Sequence, residues 1–361
     1  LNGVPYNDSE SQGTFFVNIP DMASSASQIV IQRGVGTSSN GTASFGASVN
    51  ILTKNPEEKP YFLTNQSAGS FNTFKHSFEA GTGKFLNNLL SVSARYSIIN
   101  SDGYIDRAFS KLNSYNINAL FEKGNTKLRF LTFGGKEKTY QAWNGIDKAT
   151  YESNPKFNYS GAIYDANWEN IIGFYDNETD NYRQNHYHLL WEQKLGKIWN
   201  LETTFHLTQG EGYYENYKQD AKFSKYDLPN IVENGNTITR TDFIRKKWLD
   251  NDFYGVVSNL YGNFENLNLN FGVAANQYFG RHFGNVSGVK YTDIFEHEYY
   301  RNNALKNEVS GFAKAIYKVE KLEFFGDLQL RNIDYKTYVL DENAEEGADL
   351  SQIGRASCRE R

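Results

Sequence analysis

The chain has 361 residues, a formal net charge of -5 and a mean hydropathy of -0.63, yet 16% of its residues are aromatic. The negative balance and the lack of a basic stripe argue against a nucleic-acid partner. No window approaches 18 consecutive apolar residues, which excludes a transmembrane helix but not membrane strands, whose hydropathy signal is diluted by alternation.

The first 54 residues differ from the rest. Leu1 to Tyr6 reads as a short strand into a turn, and Asp21 is positioned to cap a short helix over Met22 to Ser27. Gln28 to Gln32 reads as a strand, followed by a glycine-rich stretch from Arg33 to Gly41 and a second strand from Ser48 to Lys54. Together they predict a small mixed α+β piece. The sequence starts at Leu1 without a signal peptide, so an exported protein is expected to have lost one or to begin further upstream.

From Pro60 the pattern becomes rhythmic: alternating apolar and polar segments joined by connections that are short, long, short, long. Strands are predicted at about 60–70 and 73–82. The third carries Leu90, Val92, Ala94, Tyr96 and Ile98 on one face against Ser91, Ser93, Arg95 and Ser97 on the other. The fourth carries Tyr115, Ile117, Ala119 and Phe121. The fifth begins at Lys127 and leads into a long loop from Tyr140 to about Arg183. The sixth points Tyr187, Leu189 and Trp191 outward. The seventh sets Leu201, Thr203, Phe205 and Leu207 against Glu202, Thr204, His206 and Thr208, before a second long loop from Gly212 to about Trp248. The eighth runs over about 254–264, and the ninth sets Leu267, Leu269, Phe271, Val273 and Ala275 against Asn268, Asn270 and Asn276. A third long loop spans about Arg281 to Lys306, and the tenth strand carries Val309, Ala313, Ala315 and Tyr317. The eleventh, Leu322 to Arg331, is the clearest: Leu322, Phe324, Leu328 and Leu330 face one way, Glu323, Asp327, Gln329 and Arg331 the other.

Eleven strands of about ten residues, with tight turns at one end and large loops at the other, predict a transmembrane antiparallel β-barrel. Bacterial barrels have even strand counts, so eleven is expected to be about half of a 22-stranded, plugged barrel. A half-barrel exposes unpaired edges, and such a fragment is expected to aggregate. The last residues, 351–361, lack alternation. Their sequence, ending around the lone Cys358, resembles a translated sequencing-adaptor read-through and is expected to be non-native.

Gln28 to Gly41, followed by Ala43 to Lys54, resembles the end of the plug domain of TonB-dependent outer-membrane receptors: strand, Arg-Gly, glycine-rich turn, Phe-Gly, small residues, and an apolar strand ending Thr-Lys. Ser101 to Arg107 and Lys136 to Gly145 look like members from Bacteroidetes-type bacteria. The resemblance implies three parts: 1–57 as the C-terminal part of a plug, 58–350 as the N-terminal half of a barrel, and the 351–361 tail. It also implies a non-enzymatic importer in the outer membrane of a Gram-negative bacterium, without a resident cofactor. Proton-motive force would be relayed by a TonB–ExbB–ExbD complex through a TonB box absent from this chain. Further partners would be outer-membrane lipid and lipopolysaccharide, a small extracellular ligand, and in some members a surface lipoprotein. The usual cargo is an iron–siderophore or similar iron complex, or cobalamin. A glycan or peptide importer of the same fold, a passive porin and a secreted β-rich adhesin or carbohydrate-binding protein remain as alternatives.

By the resemblance, Arg33, Gly34, Gly36, Gly41 and Gly46 form a plug hinge, with Arg33 paired to wall carboxylates. On physical grounds alone the glycines serve tight turns. The aromatic loop residues Tyr140, Trp143, Tyr164 and Trp168, with Tyr214, suit stacking on a flat or sugar-like ligand, or simply pack the loops on themselves. Asp165, Glu169, Asp176, Glu178 and Asp180 lack calcium-loop spacing and read as a solvated acidic face. His186, His188 and His206 read as polar wall rather than metal ligands. No catalytic triad, zinc motif or paired cysteine is present.

Overall fold

The computed structural model describes residues 1–34, 36 and 46–339, the side chain of the last excepted. Gly41, Cys358 and the 351–361 tail lie outside the described residues.

The N-terminal segment contains two paired antiparallel strands, β1 (Ala26–Arg33) and β2 (Ala47–Thr53). Next come β3 (Pro60–Gly69), β4 (Thr73–Phe85), β5 (Leu90–Ser101), β6 (Ser110–Lys123) and β7 (Thr126–Tyr140). The first long connection holds helix α1 (Lys148–Ser153) and a small hairpin, β8 (Ala162–Tyr164) with β9 (Ile171–Phe174). Then follow β10 (Thr179–Leu195), β11 (Trp199–Lys222), a second small hairpin of β12 (Ile231–Glu233) and β13 (Asn236–Ile238), and β14 (Arg240–Asn263), β15 (Leu267–Gly288), β16 (His297–Val319) and β17 (Leu322–Val339). Eleven of these strands form one antiparallel sheet in chain order, from β3 to β17. Among the described residues it stays open, with β3 and β17 at its edges.

Alternation sets the two faces. Outward, Phe130 pairs with Leu189, Leu189 with Phe205 and Phe205 with Val256, a continuous apolar row across four strands. Higher up, Tyr187 and Tyr254 flank Leu207. Further along the same strands the outward row turns charged: Lys136, Arg183, Glu211, Asp250 and Arg281 are successive cross-strand partners. This apolar band, its aromatic edge and the charged row above it give the profile of a membrane-spanning wall. No helix among the described residues is long and apolar enough to cross a membrane, which says nothing of strands.

The inward face is polar and covered. Ser91, Arg95, Ser97, His188 and His206 are all buried, while Tyr96 between them is half exposed on the other face. What covers them is the N-terminal segment. Ile19 and Met22 pack against Leu131 and Phe133, two apolar residues of the inner wall. Beside them Gly135 presses close to the chain: a Cβ there would lie 2.3 Å from Pro20 Cδ and 2.9 Å from the Asn18 carbonyl oxygen.

The strands are longer than the alternation predicts. β11 and β14 each have 24 residues and β16 has 23. Most of the expected loop from Gly212 to Trp248 is strand, and the true connection is 223–239. Above the apolar band, both faces are wet, so the apolar/polar contrast fades while the hydrogen-bonded ladder continues. Aromatic cross-strand pairs such as Tyr213 with Trp248, 4.4 Å apart, hold the extension together.

Candidate ligand-binding site

Asp21 was expected to cap a helix. Instead it sits in the left-handed region (φ 57°) before a single 3-10 turn and caps nothing. Its carboxylate is taken by the wall: Arg95 Nη1 donates to Oδ2 at 2.8 Å, Ser97 Oγ donates to the same oxygen at 2.6 Å, and Lys75 pairs with Oδ1. Arg95 Nε also donates to Ser25 Oγ at 2.8 Å. A second arginine clamps the end of β2: Arg129 Nη2 donates to Thr53 Oγ1 and to the Lys54 carbonyl, both at 2.6 Å, and Asn118 Nδ2 reaches the same carbonyl at 2.7 Å. The expected polarity is therefore reversed. Arg33, meant to reach wall carboxylates, is exposed and has no ion-pair partner among the described residues. The segment supplies acids and carbonyls, the wall supplies the cations.

Gly34 has φ +83°, and its N–H meets the Gly46 carbonyl at 2.8 Å, closing the β1–β2 connection as a glycine turn should. Gly36 and Gly46 lie on the same connection, and neither lines the cavity described below.

Higher in the lumen a loop of the segment, 7–13, is tied to the far wall. Glu10 accepts from Tyr278 Oη at 2.7 Å and Tyr335 Oη at 2.9 Å, and pairs with His282 Nε2 at 2.8 Å. Burial opposes ionisation of Glu10, but these contacts outweigh it and hold its carboxyl below the usual range; the same pairing raises the His282 imidazole.

Between this loop and the wall lies a cavity of about 500 Å³. Glu137, Asp180, Tyr182, Tyr214 and Lys247 line it, with Tyr6 on the segment side. Glu137 is 3% exposed and accepts no hydrogen bond from any described residue. Burial, with Asp180 close by, pushes its carboxyl up to about 8, and burial raises Asp180 to about 6.

Of the five aromatic residues singled out from the sequence, only Tyr214 lines the cavity. Trp143, 59% exposed, stands edge-on to it at 5.7 Å. Tyr164 and Trp168 stack on each other, 5.7 Å apart, and do not line the cavity. Tyr140 is a buried peg whose hydroxyl donates to the Tyr175 carbonyl at 2.8 Å and the Ser160 carbonyl at 3.1 Å. The first long loop thus packs on itself, Phe157 against Tyr159 and Phe174, and on the β5–β6 connection, where Arg107 lies 3.5 Å from the Phe174 ring centre. The acidic residues of that loop disperse: Asp165 caps a turn, Glu178 is buried against Asn216 and the Tyr217 N–H, and Asp180 faces the cavity. Among the described residues no group of three acids, histidines or cysteines is placed to hold a metal ion.

The sequence reading missed Glu137 and Glu10. Glu137 sits between Lys136 and Lys138 and resembles a solvated charge run; only its phase, inward with Arg129, Leu131 and Phe133, marks it.

This architecture, an outward-apolar sheet wrapped round its own N-terminal segment, is that of the large outer-membrane receptor barrels. Solved structures share it at low identity. The open form of the ferric-catecholate import receptor Fiu from E. coli K12 superposes with a TM-score of 0.61 and 12% identity, covering 91% of this chain and 52% of that one. The ferripyoverdine receptor of the outer membrane of Pseudomonas aeruginosa gives 0.60 and 12%, covering 94% and 45%. The copper transporter OprC gives 0.65 and 12%, covering 94% and 47%. The chain spans about half the length of these proteins. No protein-family model matches the chain, and no curated protein does.

Proposed function

We propose that the chain is part of a TonB-dependent outer-membrane receptor that imports a scarce nutrient. Residues 1–57 are the C-terminal part of a plug and 58–350 the first half of the barrel. The reading rests above all on the lumen: an inner wall covered by a separate segment and held to it by ion pairs and arginine hydrogen bonds, under loops that leave a cavity at the outer end. A passive porin would leave that path open. A secreted sandwich would not carry an apolar outer band with a folded segment on its other face.

The proteins that share the fold are described as ferric-catecholate, ferripyoverdine and copper receptors or transporters. They favour an iron–siderophore or similar metal complex as cargo, with cobalamin as the second candidate. Proton-motive force relayed by TonB–ExbB–ExbD would drive transport, and the two stretches Ser101 to Arg107 and Lys136 to Gly145 favour a Bacteroidetes-type source. The test is uptake of radioiron-loaded siderophores and labelled cobalamin by cells carrying the gene. Uptake of one of them should stop on adding a protonophore and in a strain lacking TonB. Uptake that survives both treatments sinks the proposal.

A further inference from the structure

The outer cavity has an unusual charge. Glu137 on β7 and Asp180 on β10 face it from neighbouring strands, Glu137 lying directly opposite Tyr182 in the ladder. Neither carboxylate has an ion-pair partner among the described residues, and Glu137 is almost wholly buried. A buried charge without a partner is costly, so such a group either stays protonated or awaits a cation.

The other charged groups facing the cavity make no ion pair with either carboxylate. Asp8, on the segment, is spent on its own turn, accepting from the Ser11 N–H at 2.7 Å and the Ser11 hydroxyl at 2.8 Å. Glu10 neutralises His282 from β15. Lys247 on β14 lies 5.9 Å from the ring centre of Tyr300 on β16, another residue of the lining. The remaining titratable groups of the lining are the phenols of Tyr6, Tyr182, Tyr213, Tyr214 and Tyr278 and the imidazole of His186. The Glu137–Asp180 wall is therefore acidic and tyrosine-faced.

We infer that this wall is a subsite for an organic cation, an ammonium or guanidinium group carried by the imported ligand. Two carboxylates with no third ligand group suit an organic cation better than a metal ion, which among the described residues finds no such set. Aromatic walls favour the same choice, because ring faces attract organic cations. About 500 Å³ is room for a molecular fragment rather than a bare ion. The inference rests on reading the cavity as the ligand's entry site, and it narrows the ligand: a purely anionic complex would find the wrong charge on this side.

The subsite is tested by titrating agmatine, which carries both cationic groups on a four-carbon chain, into the folded receptor by calorimetry, with N-butylurea as the neutral control. Agmatine should bind and butylurea should not. Glu137→Gln with Asp180→Asn should weaken agmatine at least ten-fold. Heat-modifiable gel migration shows whether that variant folds. Should it not, the native protein decides: affinity should fall as the pH is lowered from 8.5 to 5 and both carboxyls are protonated. Equal binding of butylurea, no binding of agmatine, or affinity indifferent both to pH and to the double substitution overturns the inference. Protonophore-sensitive uptake alongside a failed agmatine titration would remove this subsite alone. Loss of energised uptake would remove the importer reading itself.

Discussion

Asp21 and Arg95 form a buried ion pair across the boundary between the N-terminal segment and the wall: the Nη1–Oδ2 distance is 2.8 Å and neither side chain is more than 5% exposed. Removing one partner of such a pair leaves an uncompensated buried charge, at a cost of about 3–5 kcal/mol. Arg95→Ala should therefore loosen the segment while the sheet survives. Limited proteolysis of the detergent-folded protein should cut within residues 1–57 much faster than in the native protein. Asp21→Asn combined with Arg95→Gln should cost less than the two single changes added together. Unchanged cleavage in Arg95→Ala would mean that the pair does not hold the segment.

Arg129 makes the second anchor through Thr53 and Lys54. Hydrogen bonds to a charged group are worth about 1.5–3 kcal/mol. Arg129→Ala should accelerate amide hydrogen exchange at Lys54, whose N–H bonds to the Ser25 carbonyl, and leave exchange in β14 and β15 as it was. Acceleration spread evenly over all strands would assign Arg129 to the barrel rather than to the segment.

Leu189 and His188 are adjacent on β10 and point opposite ways, the first 42% exposed, the second 1%. Leu189→Arg puts a charge in the apolar band and should cost about 2–4 kcal/mol, lowering the temperature of the heat-modifiable gel transition. His188→Leu should be neutral or stabilising, since neither ring nitrogen finds a hydrogen-bond partner among the described residues. The reverse ranking would place the membrane on the wrong face.

Glu137 sets a pH dependence whose sign can be worked out. Its carboxyl is raised to about 8, so between the ordinary carboxylate range and pH 8 the folded protein holds a proton that the unfolded chain has lost. Stability therefore falls as the pH rises through that window. Glu137→Gln should remove the fall, raising the transition temperature at pH 8.5 and leaving it nearly unchanged at pH 4. A substitution that destabilises equally at both pH values would show a packing role only.

How much of this could be read from the sequence depended on contrast. Where lipid meets a wet lumen, as at Leu322 to Arg331 or Ser91 to Ile98, the two-residue period is stark, and strand number and phase followed from it. Above Tyr187 and Tyr254 both faces are wet, so β11 and β14 ran on unannounced. The segment's anchors were legible only as residue types. Asp21 before a polar run looks like a cap, because nothing local tells that Lys75 and Arg95, more than fifty positions away, will claim its carboxylate. Tyr140 carried the right chemistry for a ligand contact but is consumed by loop packing, whereas Glu137 was hidden by its lysine neighbours.

The tethers of the N-terminal segment are spaced along its length: Ser9 and Glu10 to β15, β16 and β17, then Asp21 and Ser25 to β4 and β5, then Thr53 and Lys54 to β6 and β7. The Leu1 end is itself fastened to β2, where Asn2 bonds to Ile51 and Thr53, so a tension applied there would load the last tether along with the first. The segment would thus resist as a closed strap, its fastenings sharing the load rather than giving way one after another.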